Sequence, residues 1–221
     1  MEFKVRIEDK KYLTHDVIQF TLEKPEGFTY NAGQAIEASV DDPRFKNDWA
    51  PFTMTSLNRD EFLQFTIKIY TQHNGMTRAL SKLNIGDHFL ITDPWDSFIS
   101  KGPGVFIAGG TGVTPFIALL RQMYLDNSVG NSKLLFSNKT DDDIFLANEF
   151  RKILGDNFIN IVTRDEQSEF YTGRISRQLL KKYVSNFNQP FYLCGPDNFA
   201  NEIKGYLIEL GAGDELVNVS L

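Results

Sequence analysis

The chain has 221 residues, 42% of them hydrophobic and 24% charged, with a formal net charge of −6, a balance that argues against a general nucleic-acid binder and for a globular protein of two domains. No run approaches the ~18 apolar residues of a membrane span, and the start "MEFKVRIEDKKY" does not read as a signal peptide, so a cytoplasmic location is expected. A single cysteine, Cys194, excludes an internal disulfide and an all-cysteine metal or iron–sulfur site, and His15, His73 and His88 lack the spacing of metal ligands, so no metal site is expected.

In chain order, residues 1–100 read as short strands: "EFKVRIEDKKYL", "DVIQFTLEKP", "QAIEASVDD", "FLQFTIKIYT" and "DHFLITDP". Alternating β-branched and aromatic residues broken by turns such as Pro25-Glu26-Gly27 predict an antiparallel β-barrel or sandwich. Residues 101–221 change texture. Apolar strands at 104–108, 133–137, 158–163, 190–194 and 216–220 alternate with helical stretches at 115–126, 143–154, 174–185 and 197–210. That alternation predicts a doubly wound, five-stranded parallel sheet, with ligands at the carboxyl ends of its strands.

"IAGGTGVTPF" (residues 107–116) stands at the first of those ends. Gly109, Gly110 and Gly112 permit a turn that side chains would block, Thr114 can cap a helix, and Pro115 suits its first position. The backbone N–H groups of such a turn suit an anion, most often a pyrophosphate. Val113-Thr114-Pro115 rules out the lysine of a nucleoside-triphosphate loop, and Pro115 replaces the third glycine of the dinucleotide fingerprint, so the local pattern also fits a turn without ligand. "FYLCGPDNF" places Cys194 at the end of another strand with Gly195-Pro196 turning into the next helix. Cys194 is either a ligand-edge thiol or a buried core cysteine.

Taken in order, the strand-rich half, "AGGTGVTPF", "LLFSNKTDDDIF" and "YLCGP" resemble the ferredoxin–NADP reductase superfamily, in which a flavin-binding barrel precedes a nicotinamide-binding domain. The resemblance implies that residues 1–100 bind flavin and residues 101–221 bind NAD(P)H, with Gly109, Gly110, Thr111, Gly112, Thr114 and Pro115 at the dinucleotide pyrophosphate. It sets Cys194, Gly195 and Pro196 beside the nicotinamide, with the thiol in a positioning role. The family's R-x-Y-S-x-x-S motif falls on Ala50-Pro51-Phe52-Thr53-Met54-Thr55-Ser56, which implies a Thr53 hydroxyl near flavin N5, Phe52 packed on the flavin, and backbone groups of residues 52–56 at the ring edge. Ala50 stands where the family has the arginine that holds the flavin phosphate. The turn Gly75-Met76-Thr77 then offers helix-start N–H groups in its place, with Arg78 nearby, and Lys68 and Tyr70 are further candidate contacts.

FAD is the implied cofactor, with FMN or loosely bound flavin as the alternative because of Ala50. Thr163-Arg164 and Arg174 match the 2′-phosphate residues of NADPH-using members, whereas "LLFSNKTDDDIF" is similar to NADH-using cytochrome b5 reductases, and the arginines tip the reading towards NADPH over NADH. The expected function is electron transfer from NAD(P)H through flavin to flavodoxin or ferredoxin, which are acidic carriers. Lys10, Lys11, Arg44, Lys46, Lys68 and Arg78 would form a basic docking rim if they converge. Two alternatives stand beside it: a reductase that uses free flavin as substrate, and a non-catalytic electron-transfer subunit.

Overall fold

The computed structural model describes residues 1–45, 48–72 and 74–220, so Lys46, Asn47, His73 and Leu221 lie outside the described residues. Two compact units result, one of residues 1–100 with 117–122, the other of residues 101–116 with 123–221.

The first unit is an antiparallel barrel of strands β1 (Glu2–Tyr12), β2 (Val17–Glu23), β3 (Gln34–Val40), β4 (Ala50–Thr53), β5 (Phe62–Lys68) and β6 (His88–Thr92). A six-residue helix, α1 (Met76–Ser81), follows β5, and a two-residue strand, β7 (Trp95–Asp96), pairs with β3. Strand order is β4-β3-β6-β1-β2-β5. Strand β1 serves both halves of the barrel: Glu2–Arg6 pairs with β6, a bulge falls between Ile7 and Asp9, and the remainder to Tyr12 pairs with β2. Such a bulge bends a strand from one sheet into the next. A bridge between Met54, just past β4, and Phe65 of β5 brings the path back on itself. The alternation read in the sequence is the inward set: Ile18, Phe20, Leu22, Leu63, Phe65, Phe89 and Ile91 are all buried in one core. Tyr30 is buried with them, its hydroxyl 2.7 Å from Ser56 Oγ, and burial pushes its pKa up to about 12.

The second unit is a parallel sheet of β8 (Val105–Gly109), β9 (Lys133–Asn138), β10 (Phe158–Val162), β11 (Tyr171–Thr172), β12 (Phe191–Cys194) and β13 (Val217–Ser220), in the order β11-β10-β9-β8-β12-β13. It therefore has six strands, not five. The added one, β11, pairs parallel with β10 through two residues only, too few to carry a periodic signal. Helices α3 (Ala147–Leu154), α4 (Arg177–Tyr183) and α5 (Asp197–Glu209) complete the unit, and α2 (Thr114–Leu125) begins and ends in it, its residues 117–122 belonging to the first unit.

Helices α3 and α4 are shorter than their hydrophobic patterns suggest. Asp141–Asp143 forms a 3₁₀ turn in which the Asp143 carboxylate accepts from the Thr140 N–H and hydroxyl, each at 2.9 Å, and Leu146 takes a left-handed conformation (φ 54°) that delays α3. Ser176 caps α4 by accepting from Leu179 N, moving its start from 174 to 177. Strand order reverses at β8, with β9 on one side and β12 on the other, so the topological switch point lies at the carboxyl ends of β8 and β12.

Candidate functional site

At that switch point the backbone is too close for side chains. A Cβ on Gly112 would lie 2.3 Å from the Cys194 carbonyl oxygen and 2.7 Å from Gly195 N. One on Gly195 would lie 2.7 Å from the Phe199 ring and 3.2 Å from Gly109 Cα. Gly110 has φ +56° with open space about its missing side chain. These glycines therefore let two strand ends meet and leave a concave backbone turn.

Gly110–Val113 forms a single 3₁₀ turn, and Thr114 is already helical (φ −57°, ψ −45°), so it is the first residue of α2 and not its cap. Pro115 still falls within the first turn, where a missing N–H costs nothing. The first turn of α2 holds no acidic residue, whereas α5 begins with Asp197. Of the two helix starts that follow β8 and β12, the one after the glycines is therefore the better anion site.

The Cys194 side chain sits at the end of β12, partly exposed, and burial pushes the thiol pKa up to about 11 against the opposing pull of the Gly195 backbone N–H. It is protonated at neutral pH and cannot act as a thiolate nucleophile. Phe199, on the first turn of α5, is a residue that the sequence reading missed. Its ring lies against the faces of Gly109 and Gly195, so it fixes how closely the two strand ends approach. An aromatic residue in the first turn after "CGP" was the available signal.

Further along the sheet edge, Thr163 N–H and hydroxyl both donate to the Asn138 carbonyl, at 2.9 and 3.1 Å, and Arg164 N donates to the Lys139 carbonyl at 2.8 Å. The Thr163 hydroxyl thus extends the sheet past its paired residues. Val162 pairs with Thr172, so Arg164 and Arg174 each stand two residues beyond that pairing. Both are exposed, and among the described residues neither guanidinium has a carboxylate partner.

In the barrel unit the seven motif residues divide sharply. Met54 is fully buried in the core, and its N–H donates to the Gln34 carbonyl at 3.3 Å. Thr55 N donates to the Gln64 carbonyl at 2.7 Å, its hydroxyl to Gln64 Oε1 at 3.2 Å, and its carbonyl accepts from Arg121 at 2.5 Å. Ser56 Oγ faces Tyr30 and accepts from Gln64 N at 2.9 Å. The expectation that backbone groups throughout 52–56 reach a flavin therefore needs correcting at these donors, which close the barrel. Pro51, Phe52 and Thr53 keep exposed surface, and among the described residues the Thr53 hydroxyl has no hydrogen-bond partner. An aromatic face, a free hydroxyl and an exposed strand edge fit a flat, polar-edged ring system such as flavin.

Thr77 Oγ1 accepts from Tyr70 N at 3.3 Å, tying α1 to the end of β5, and Met76 is packed into the core. Tyr70 itself is 50% exposed. Lys68 is held by Asp16 at 2.6 Å, and although burial works to raise the Asp16 carboxyl, Lys68, His15 and Thr14 together hold it below its ordinary range. The basic rim is corrected in the same way: Lys10 Nζ donates to the Ser81 and Leu83 carbonyls at 2.7 and 2.8 Å, Arg44 is paired with Asp42, and Lys68 with Asp16. Three of the five described cations are thus engaged within the barrel, Lys46 lying outside the described residues.

The family described as an FAD-binding domain matches residues 2–96, and that described as an oxidoreductase NAD-binding domain matches residues 106–205. NADH-cytochrome b5 reductase 1 of Eremothecium gossypii is 25% identical over 226 residues, covering 91% of this chain and 77% of its own. Cytochrome b5 reductase 4 of Rattus norvegicus is 28% identical over 236 residues, covering 95% of this chain; the chain spans only 45% of that longer protein. Among solved structures, a ferredoxin NADP+ reductase from Neisseria gonorrhoeae with bound FAD and NADP superposes with a TM-score of 0.83 at 17% identity, covering 99% of this chain and 98% of its own. An FAD-binding barrel followed by a nicotinamide-binding sheet, matched in that order along almost the whole sequence, is the architecture of NAD(P)H-dependent flavoprotein reductases, and the chain belongs to the ferredoxin–NADP reductase superfamily.

Proposed function

We propose that the protein takes electrons from NADH, passes them through FAD, and delivers them to a small haem carrier of the cytochrome b5 type. The observation that carries the donor side is the glycine-lined switch point, where Gly109, Gly110, Thr111 and Gly112 leave backbone N–H groups for a pyrophosphate and Cys194 supplies an uncharged surface beside it. Bound FAD supplies acceptance of a hydride and release of electrons singly or as a pair. The chain's own part is to bind, orient and exclude water. A protonated thiol and a free Thr53 hydroxyl suit that part, since neither needs to exchange a proton with solvent during turnover.

In this reading residues 1–100 form the flavin domain and residues 101–221 the nicotinamide domain. The acceptor rests on the names of the relatives, which favour cytochrome b5 over the flavodoxin or ferredoxin expected from the family at large. A second reading of the donor keeps NADPH, because Arg164 and Arg174 stand without a carboxylate partner among the described residues at matching positions past β10 and β11.

Anaerobic stopped-flow mixing with NADH is the deciding experiment. Bleaching of a bound flavin, followed by faster reoxidation by cytochrome b5 than by flavodoxin, ferredoxin or free FMN, is the expected result. A protein purified without flavin but turning over added flavin points instead to a free-flavin reductase. A bound flavin that NADH and NADPH both leave oxidised points to a non-catalytic subunit.

A further inference from the structure

The barrel unit carries a cleft of about 570 Å³ whose walls are the segment Val40–Phe45 after β3 and the exposed face of α1. That volume lies in the range of nucleotide-sized sites. Its three carboxylates are all engaged. Asp41 is paired with Lys4 at 2.6 Å, Asp42 with Arg44 through two bonds of 3.0 Å, and the Asp87 carboxylate accepts from Asn84 N at 2.7 Å. Arg44 holds the Asp42 carboxyl down at about 2, so that pair stays charged and closed on itself.

Two cations on the opposite wall are different. Arg78 has a neutral partner, the Asn74 side-chain carbonyl at 2.7 Å, and Lys82 has no carboxylate partner among the described residues. Arg78 lies within α1 and Lys82 caps its C-terminus in helical conformation, four positions on and hence on the same face, and both line the cleft. Gly75, which opens the turn Gly75-Met76-Thr77, lines the same cleft together with Ala79 and Leu83.

We infer that Arg78 and Lys82 grip the phosphates of FAD in this cleft, replacing from α1 the positive charge that Ala50 cannot supply from β4. The inference rests on the flavin-binding reading above and deepens it. Helix α1 has only six residues, so the side chains and not the helix start provide the charge. Arg44 lines the same cleft but stays with Asp42.

The test is equilibrium binding to flavin-free protein, followed by flavin fluorescence, with FAD, FMN and riboflavin as probes. Wild-type protein is expected to bind FAD more tightly than riboflavin, with a salt-dependent difference. The R78Q/K82Q double variant is expected to lose FAD affinity by about tenfold or more, the scale of charge-assisted hydrogen bonds, with riboflavin affinity held within about twofold. The D42N/R44Q double variant, which removes the closed pair without changing the net charge of the wall, serves as the control and should leave the FAD-to-riboflavin ratio unchanged. Melting curves establish that each variant is folded. Equal losses for FAD and riboflavin, or no loss for either, overturn the inference while flavin binding stands. Wild-type protein that binds none of the three probes overturns both.

Discussion

The two units build their sites from different materials. In the nucleotide unit the site is backbone: three glycines bring the ends of β8 and β12 together, and a helix start faces the space they leave. In the barrel unit the corresponding stretch is mostly structural, with Met54, Thr55 and Ser56 closing the barrel and a few side chains left for a ligand. A backbone site cannot be altered by degrees, because a Cβ either fits or collides. A side-chain site is tunable residue by residue, which explains how Ala50 can stand in a family arginine's place.

The largest expected effect follows from that contrast. Gly112→Ala sets a methyl 2.3 Å from the backbone oxygen of Cys194, where no flexible side chain can yield, so the strand ends must part. Overpacking of this kind costs about 1–3 kcal/mol in stability, and reduction of flavin by NADH is expected to fall by about 100-fold or more as the turn loses its shape. Gly205→Ala, on the exposed face of α5 with nothing within 4 Å, is the companion. It is expected to raise stability by about 0.5–1 kcal/mol through helix propensity alone. Near-normal NADH reduction in Gly112→Ala would break the distinction between the two units.

Next in size are the side chains assigned to the reacting ends. Thr53→Val removes a hydroxyl that has no partner among the described residues, so the barrel should keep its stability while flavin reduction in single turnover slows about tenfold, the value of one hydrogen bond. Cys194→Ala removes an uncharged thiol and is expected to slow the same step by about threefold. An unaltered flavin spectrum and rate in Thr53→Val would remove it from the site. Smaller again is the donor preference: an R164Q/R174Q double variant should lower kcat/KM for NADPH by about tenfold while leaving NADH within about twofold. Equal losses for both donors would make the arginines structural.

The legibility of these features in the sequence follows the same division. A glycine turn between an apolar strand and a helix announces itself because few other residues can occupy it, and the switch from period-two strands to alternating strands and helices near residue 100 marks the two architectures. What a polar residue does inside the barrel is set by distant neighbours. Ser56 is engaged by Tyr30 and Gln64, Lys68 by Asp16, and Lys10 by carbonyls more than seventy positions away. No local pattern contains those partners, so the flavin motif appeared richer in ligand groups than it is, and the basic rim appeared free. The two-residue β11 and the delayed start of α3 escaped for a different reason: each depends on backbone conformation, not on hydrophobic period.

A last effect, on stability and not on rate, separates the units by pH. Cys194 in the nucleotide unit is raised from its ordinary 9.0 to about 11, and Tyr30 in the barrel from 10.0 to about 12, both chiefly by burial, which disfavours the ionised form. A folded-state pKa above the unfolded one contributes stability that is fully present below the unfolded value and lost as pH rises through the folded value. Cys194 therefore costs stability between about pH 9 and 11, and Tyr30 between about pH 10 and 12, at about 1.4 kcal/mol for each pKa unit. Cys194→Ala should accordingly gain on wild type in melting temperature across the lower window. Tyr30→Phe should gain only across the upper one, after a pH-independent loss of about 1 kcal/mol for the bond to Ser56. Melting curves taken from pH 8 to 12 measure both differences. A gap that stays flat for Cys194→Ala would mean that its thiol titrates as if in water, and the uncharged surface assigned to the end of β12 would have to be withdrawn.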